Sequence, residues 1–70
     1  MKREVRITTP YITLGQMLKL VNLIGNGGEA KAFLSVEEVR VNGEIDQRRG
    51  RKLYPGDEAL VRGEIYRIVS

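Results

Sequence analysis

Apolar and polar residues alternate at the start of the chain and then change period. Val5 and Ile7 lie between polar neighbours, which predicts a half-buried strand over residues 3–8. From residue 14 onward the apolar positions recur at helical spacing instead: Leu14, Met17, Leu18, Val21 and Ile24. Thr13 followed by Gln16 is a capping-box pattern, so we expect the first helix to begin there.

A glycine-rich segment, GNGGEA at residues 25–30, separates this helix from a second one. Gly25 suits the residue that ends a helix in the left-handed backbone conformation, because glycine adopts positive φ without steric cost. Asn26, with Glu29 three residues later, suits the cap of a short helix that reaches about Ser35.

The second half of the chain has the pattern of short strands joined by turns. Val39, Val41 and Ile45 alternate around Asn42-Gly43, the pair favoured in type I′ hairpin turns. The remaining predictions are a polar loop at residues 46–52, a turn at residues 54–57, strands at residues 59–61 and 65–69, and a turn or bulge at Gly63. We therefore expect an α+β fold, with two helices packed on a small antiparallel sheet.

Length and composition narrow the class of protein. Seventy residues, of which 41% are hydrophobic, predict a single globular domain over residues 1–70. Met1-Lys2-Arg3 leads into Glu4 rather than into an apolar stretch, which argues against a signal peptide, and no run is long enough for a membrane span. We expect a cytoplasmic protein that does not contact a membrane.

The sequence offers little for catalysis. It contains no Cys and no His, which removes thiolate chemistry and the commonest general base and metal ligand. Glu37-Glu38 and Asp57-Glu58 are adjacent pairs rather than the spaced carboxylates of acid/base catalysis, and no Walker-type phosphate loop is present. We predict that the protein is not an enzyme and that it uses no cofactor, no metal and no small-molecule substrate.

Positive charge is concentrated in one segment. The net charge is +3, and residues 40–52 carry five basic and two acidic residues, so this segment alone accounts for a charge equal to the total. Three arginines within residues 48–51 suit phosphate oxygens, which a guanidinium binds through two parallel hydrogen bonds. This distribution predicts a local anion site.

The order helix, turn, helix, then EVRVNGEI, a basic loop and YPGDEALV resembles the S-four RNA-binding domain, also called the alpha-L motif, over about residues 12–61. YITLGQMLKL together with RRGRKLYPGD is similar to the small stand-alone bacterial members of this family. The resemblance implies one concave RNA-facing surface made by these positions: Asn26, Gly27, Gly28, Lys31, Arg40, Asn42, Gly43, Arg48, Arg49, Arg51 and Lys52. Thr13 and Asn26-Gly27 depart from the family pattern, which has Arg at the first position and Ser-Arg at the second.

Several candidates also have a structural interpretation. Glu29 can occupy the N–H groups that Gly27 and Gly28 would offer to a phosphate, and Asn42-Gly43 serves turn geometry first. Tyr54 either stacks on an unpaired base or packs under its turn. Three residues are possible edge contacts: Gln16, Lys19 and Tyr54.

These observations predict a module that docks on structured RNA, ribosomal or transfer RNA, as an adaptor or assembly factor, with a possible protein partner on the same RNA. Phosphate contacts would position it and RNA shape would select the site. Two alternatives stay open at this point. One is a protein-interaction module that binds an acidic partner, and the other is a DNA-binding module that uses the same patch.

Overall fold

The computed structural model describes residues 2–70, and these form two helices and seven strands. The helices are α1 (Leu14–Leu20) and α2 (Glu29–Val36). The strands are β1 (Lys2–Arg6), β2 (Ile12–Thr13), β3 (Val39–Val41), β4 (Glu44–Ile45), β5 (Lys52–Leu53), β6 (Glu58–Val61) and β7 (Glu64–Val69). The predicted α+β class is confirmed.

Within the described residues, five strands form a sheet in the order β1, β7, β6, β3, β4. Strands β7, β6, β3 and β4 pair in antiparallel fashion as predicted, whereas β1 runs parallel to β7, with Val5 opposite Ile68. A separate two-stranded ribbon pairs β2 with β5, where Ile12 lies opposite Leu53. Lys52, predicted to lie in the loop at residues 46–52, belongs to this ribbon instead.

Both helices pack on one face of the five-stranded sheet. Alternate strand residues point toward them, and the core that results contains Leu14, Met17, Leu18, Ala30, Leu34, Val39, Val41, Leu53, Ala59, Val61 and Ile68, all at most 3% exposed. The residues between them, such as Arg40 and Leu60, lie on the outer face of the sheet. The molecule thus has a helical side and a sheet side.

Helix α1 begins as predicted but ends early. The Thr13 hydroxyl accepts from the Gln16 N–H at 3.2 Å, and the Gln16 side chain accepts from the Thr13 N–H at 3.0 Å, which completes the capping box. The predicted left-handed residue at Gly25 was wrong: Asn22 has φ +64°, and Gly25 has no positive φ. The N–H groups of Asn22 and Leu23 bond to Lys19 and Leu18 carbonyls, the two hydrogen bonds of a Schellman motif.

The cap of α2 also differs from the prediction. Gly28 is the N-cap, in place of Asn26, and it contributes no side-chain hydrogen bond. The Glu29 carboxylate instead reaches back to the N–H groups of Gly25 and Asn26. A long acidic side chain in the first turn has therefore taken the role that the sequence pattern gave to Asn26.

The tight turns were predictable. Asn42 and Gly43 have φ values of +52° and +88°, both positive as a type I′ turn requires. Arg62 and Gly63, at +52° and +78°, form a second turn of this kind between β6 and β7. Gly56, at +99°, accepts the positive φ of the turn that begins at Tyr54.

Candidate nucleic-acid interface

The basic loop at residues 46–51 is fixed to both helices. The backbone N–H groups of Leu14 and Gly15, at the start of α1, donate to the carbonyls of Arg51 and Arg49 at 2.8 and 2.9 Å. On the other side, the Gln47 amide donates to carbonyls near the end of α2, at 2.8 Å to Leu34 and 2.9 Å to Glu37. The loop is therefore attached to both helices, to α1 through its backbone and to α2 through the Gln47 side chain.

A close approach at Gly15 makes this attachment possible. A Cβ atom at Gly15 would lie 3.3 Å from the Arg49 carbonyl oxygen and 3.4 Å from the Ala30 Cβ. Glycine at this position lets α1, α2 and the loop meet. Arg49 is held at that junction.

Asp46 binds two of the three loop cations. Its carboxylate accepts from Arg48 Nε and Nη2, at 3.0 and 2.8 Å, and from Arg51 Nη1 at 2.8 Å. The Asp46 side chain is 8% exposed, whereas that of Arg48 is 74% exposed. Arg48 and Arg51 were predicted as RNA contacts on equal terms with Arg49, but part of their hydrogen-bonding capacity is used inside the protein.

This network shifts two pKa values. The hydrogen bond from the Arg48 side chain is the largest cause that holds the pKa of Asp46 well below its usual range. Burial of the carboxyl opposes this shift, while the Arg48 backbone N–H and Arg51 reinforce it. The hydrogen bond to Asp46 also raises the pKa of Arg48. Asp46 is thus a carboxylate at neutral pH, and the network stays charged on both sides.

Three shallow depressions on residues 2–70 share lining residues with one another, and we call the three together the Arg49 groove. The first lies between α2 and the loop, and its lining includes Lys31, Ser35, Gln47 and Arg49. The second, at the helix junction, includes Thr13, Gln16, Gly27, Arg49 and Gly50. The third follows α1 and includes Gln16, Lys19, Leu20 and Asn22. Arg49 and Gln16 are the shared residues that link them.

The fold brings part of the predicted surface together in this groove. Gly27, Lys31 and Arg49 line it, and so do the edge candidates Gln16 and Lys19. Among residues 2–70, Lys19, Lys31 and Arg49 form no ion pair with a carboxylate. These three cations therefore face solvent with their charge uncompensated by a direct partner.

Three predicted residues lie elsewhere. Arg40 is on the outer face of the sheet, where its Nε is 2.9 Å from a Glu38 carboxylate oxygen. The Asn42 side chain donates to Asp57 at 3.2 Å and accepts from the Glu58 N–H at 3.0 Å, so it clamps the hairpin to the next turn. Neither these residues nor Gly43 line the groove.

Some backbone N–H groups around the start of α2 are bonded within the protein, and others are not. The N–H groups of Glu29 and Ala30 bond to the Asn26 and Gly27 carbonyls, and the Asn26 N–H bonds to the Glu29 carboxylate. Within residues 2–70 the N–H groups of Gly27 and Gly28 have no acceptor. The expected competition from Glu29 is present at Asn26 but leaves these two donors open.

Lys52 and Tyr54 lie beside the groove. The Lys52 Nζ is 5.1 Å from the centroid of the Tyr11 ring, and the Tyr11 and Tyr54 rings are 5.6 Å apart. Lys52 is directly opposite Thr13 in the ribbon, and Thr13 lines the groove. Tyr54 is 48% exposed and does not pack under its turn.

Sequence reasoning missed the residues that hold the site together. Gln47 caps α2 and Asp46 organises two arginines, yet both read as ordinary loop residues. The spacing of Asp46, two residues before Arg48, was a usable signal for a local ion pair. Gln47 gave no such signal, because the carbonyls it reaches are 13 and 10 residues away in the sequence. Gly15 gave no signal, since its close contacts come from residues far away in the sequence.

Comparison with known proteins identifies the family of this chain. A model of the S4 domain matches residues 5–69 of the chain. The chain belongs to the S4 domain family. It is also similar to "Probable ribosome maturation protein RlbA" from Bacillus subtilis (strain 168), at 56% identity over 63 residues, which cover 90% of this chain and 89% of that relative. The S-four resemblance carried by Val41-Asn42-Gly43 and Pro55-Gly56-Asp57 is confirmed.

Residues 2–70 show neither a membrane-spanning helix nor a cluster of metal-binding side chains. Neither helix in that range combines the length and apolar character that crossing a bilayer requires. The same range holds no group of three or more His, Cys, Asp or Glu side chains placed to bind a metal ion.

Proposed function

We propose that this S4-domain protein binds structured RNA through the Arg49 groove, with ribosomal RNA as the first expected target and transfer RNA as the second. It acts there as a non-catalytic assembly factor or adaptor. One observation carries the proposal: Arg49 is held at the junction of both helices by its own backbone, with Lys31 and Lys19 along the same groove and no carboxylate bound to any of them within residues 2–70.

The acids near the groove support this proposal because they are already occupied. Asp46 accepts from Arg48 and Arg51, and Glu29 accepts from backbone N–H groups. An incoming polyanion would therefore meet cations without first displacing a carboxylate. Phosphate oxygens match the fork of an arginine, and repeated phosphates match a row of separated cations.

The groove also favours backbone recognition over base reading. Its lining mixes cations with small and polar residues such as Gly27, Ser35 and Gln16, which admit a phosphate chain closely. The open N–H groups of Gly27 and Gly28 precede the positive end of α2, so they add anion donors beside Arg49. Such contacts fix register on an RNA helix while its shape selects the site.

The family and the relative support the choice of RNA. The S-four resemblance implies RNA binding, and the Bacillus subtilis relative is named as a ribosome maturation protein.

The test compares charge reversals on the two sides of the molecule. Binding of purified protein to 23S and 16S ribosomal RNA fragments is measured by filter retention for the wild type, Arg49→Glu and Lys31→Glu. Arg67→Glu is the matched control, because Arg67 is an exposed cation on the sheet side, with the same charge change. We expect about a tenfold or larger loss for each groove variant and a change within about twofold for the control.

Arg49 and Lys31 are better test positions than Arg48 and Arg51. Reversing either of the latter would also break the Asp46 network and so confuse binding with folding. Equal losses for Arg49→Glu and Arg67→Glu, or no loss for either groove variant, would refute the groove as the RNA site. Duplex DNA of equal length that competes as well as RNA would favour the DNA-binding alternative, and partner proteins that stay bound after ribonuclease treatment would favour the protein-interaction alternative.

A further inference from the structure

Two tyrosines form an exposed pair at the end of the β2–β5 ribbon. Tyr11 is 37% exposed and Tyr54 is 48% exposed, with ring centroids 5.6 Å apart and ring planes tilted by 48°. Tyr66, by contrast, is 4% exposed and belongs to the core. An aromatic pair open to water has apolar surface that no part of residues 2–70 covers.

The alternation of the ribbon explains where the pair points. Ile12 and Leu53 face the core, at 9% and 0% exposure, so the neighbours on either side face outward. Tyr11 and Thr13 share that outward face with Lys52 and Tyr54, as the contacts of Tyr11 with Lys52 and Tyr54 confirm. Thr13 also lines the Arg49 groove, so the tyrosine pair and Lys52 lie beside the groove, next to Thr13 in the ribbon.

The backbones that carry both rings are restrained. The Thr9 hydroxyl donates to the Tyr11 carbonyl at 2.7 Å, and the Tyr54 N–H donates to the Asp57 carboxylate at 2.8 Å. The backbone positions from which the two rings project are therefore fixed before a ligand binds. Lys52, 5.1 Å from the Tyr11 centroid, places a cation next to that surface.

We infer that Tyr11 and Tyr54, with Lys52, bind an unpaired nucleobase of the RNA that docks in the Arg49 groove. This inference rests on the proposed function. An aromatic ring offers a stacking surface to any base, and the adjacent ammonium can take the phosphate of the same nucleotide. The groove then binds the backbone of a folded RNA, while the tyrosine pair receives a base that has left its helix.

The experiment uses two RNA hairpins that differ only in bases. One carries a 3′ overhang of four adenosines, and the other carries four abasic nucleotides in the same overhang, so their phosphate charge is equal. Fluorescence anisotropy of a label on the hairpin loop gives the dissociation constants. We expect the wild type to bind the adenosine hairpin about fivefold or more tightly than the abasic one.

Paired variants separate stacking from bulk. In the double variant Tyr11→Leu and Tyr54→Leu, an apolar side chain is kept at each position but the rings are lost, and the preference for adenosine should disappear. In the double variant Tyr11→Phe and Tyr54→Phe, the rings are kept and the preference should remain. Circular dichroism verifies that both variants fold. Since the chain has three Tyr and no Trp, quenching of tyrosine emission by the adenosine hairpin gives a second readout.

The outcomes distinguish this inference from the proposed function. If the wild type binds both hairpins equally while Arg49→Glu weakens both, the base site is refuted and the groove stands. If the wild type binds neither hairpin nor ribosomal RNA, the proposed function fails. A Leu double variant that keeps the full preference for adenosine would also overturn the inference, because stacking would then lie elsewhere.

Discussion

At the scale of single residues, cations that look alike in the sequence have different roles. Arg48 and Arg51 bind the buried carboxylate of Asp46, whereas Arg49, between them, bonds through its backbone and directs its side chain into the groove. A short turn, closed by the Arg51 N–H and the Arg48 carbonyl at 3.1 Å, separates these directions. In this loop Arg48 and Arg51 are bound to Asp46, and Arg49 remains available to an external anion.

Replacing Asp46 should show how much its bonds to Arg48 and Arg51 stabilise the fold. In Asp46→Asn the two arginines lose their anionic partner, and we expect the free energy of unfolding at pH 7 to fall by about 1–2 kcal/mol. The figure is modest because Arg48 is largely exposed, and water screens its share of the interaction. Urea denaturation measures the change, with Glu44→Gln, an exposed carboxylate, as the control. Equal stability of wild type and Asp46→Asn would mean that the network adds nothing to the fold.

The stability difference between the wild type and Asp46→Asn should depend on pH. A carboxylate whose pKa is lowered by folding stabilises the protein at pH values above its unfolded pKa of about 4, and loses that contribution as pH falls toward its folded value. The wild type should therefore lose stability relative to Asp46→Asn between about pH 4 and about pH 2. Urea midpoints across that range test this sign. A gap between the two proteins that stays constant below pH 4 would contradict it.

At the scale of elements, the sequence predicted what depends on neighbours in the chain. The capping box of Thr13 and Gln16 and the turns at Asn42-Gly43 and Gly63 involve residues close together, and all are present. The early end of α1 was missed because a glycine, Gly25, was expected to adopt positive φ more readily than Asn22, the residue that does so. The β2–β5 ribbon and the parallel β1–β7 pair join distant segments, and periodicity alone cannot reveal such pairing.

The Asn42 turn allows two contributions to be separated at this scale. Asn42→Ala removes both side-chain hydrogen bonds and also places an unfavourable side chain at φ +52°, so we expect a loss of about 2–3 kcal/mol. Asn42→Gly removes the same bonds but accepts positive φ, so the loss should be smaller by about 1 kcal/mol. Thermal and urea unfolding of the two variants give the difference. If both lose equally, the strain of the left-handed backbone is negligible here.

At the scale of the whole molecule, the cations divide into those held in ion pairs and those without one among residues 2–70. On the sheet side, Arg40 and Lys2 pair with Glu38 and Glu58, and at the C-terminal end of α2 Arg62 pairs with Glu37. On the helical side, the two acids nearest the groove are bonded internally, which leaves Lys19, Lys31 and Arg49 without ion pairs among residues 2–70. The sequence predicted where basic residues are dense. It could not predict that Lys2 and Arg62 are neutralised, because their partners Glu58 and Glu37 are brought to them by folding.

This division makes the salt dependence of RNA binding a measure of which cations contact phosphate. If Lys19, Lys31, Arg49 and Lys52 each neutralise one phosphate, the logarithm of the affinity should fall with the logarithm of salt concentration at a slope of about −3. Arg49→Gln should reduce the magnitude of that slope by about 1, whereas Arg67→Gln on the sheet side should leave it unchanged. Titrations of one ribosomal RNA fragment at several salt concentrations give these slopes. An Arg49→Gln protein that binds more weakly but keeps the wild-type slope would show that Arg49 supports the shape of the groove and does not neutralise a phosphate.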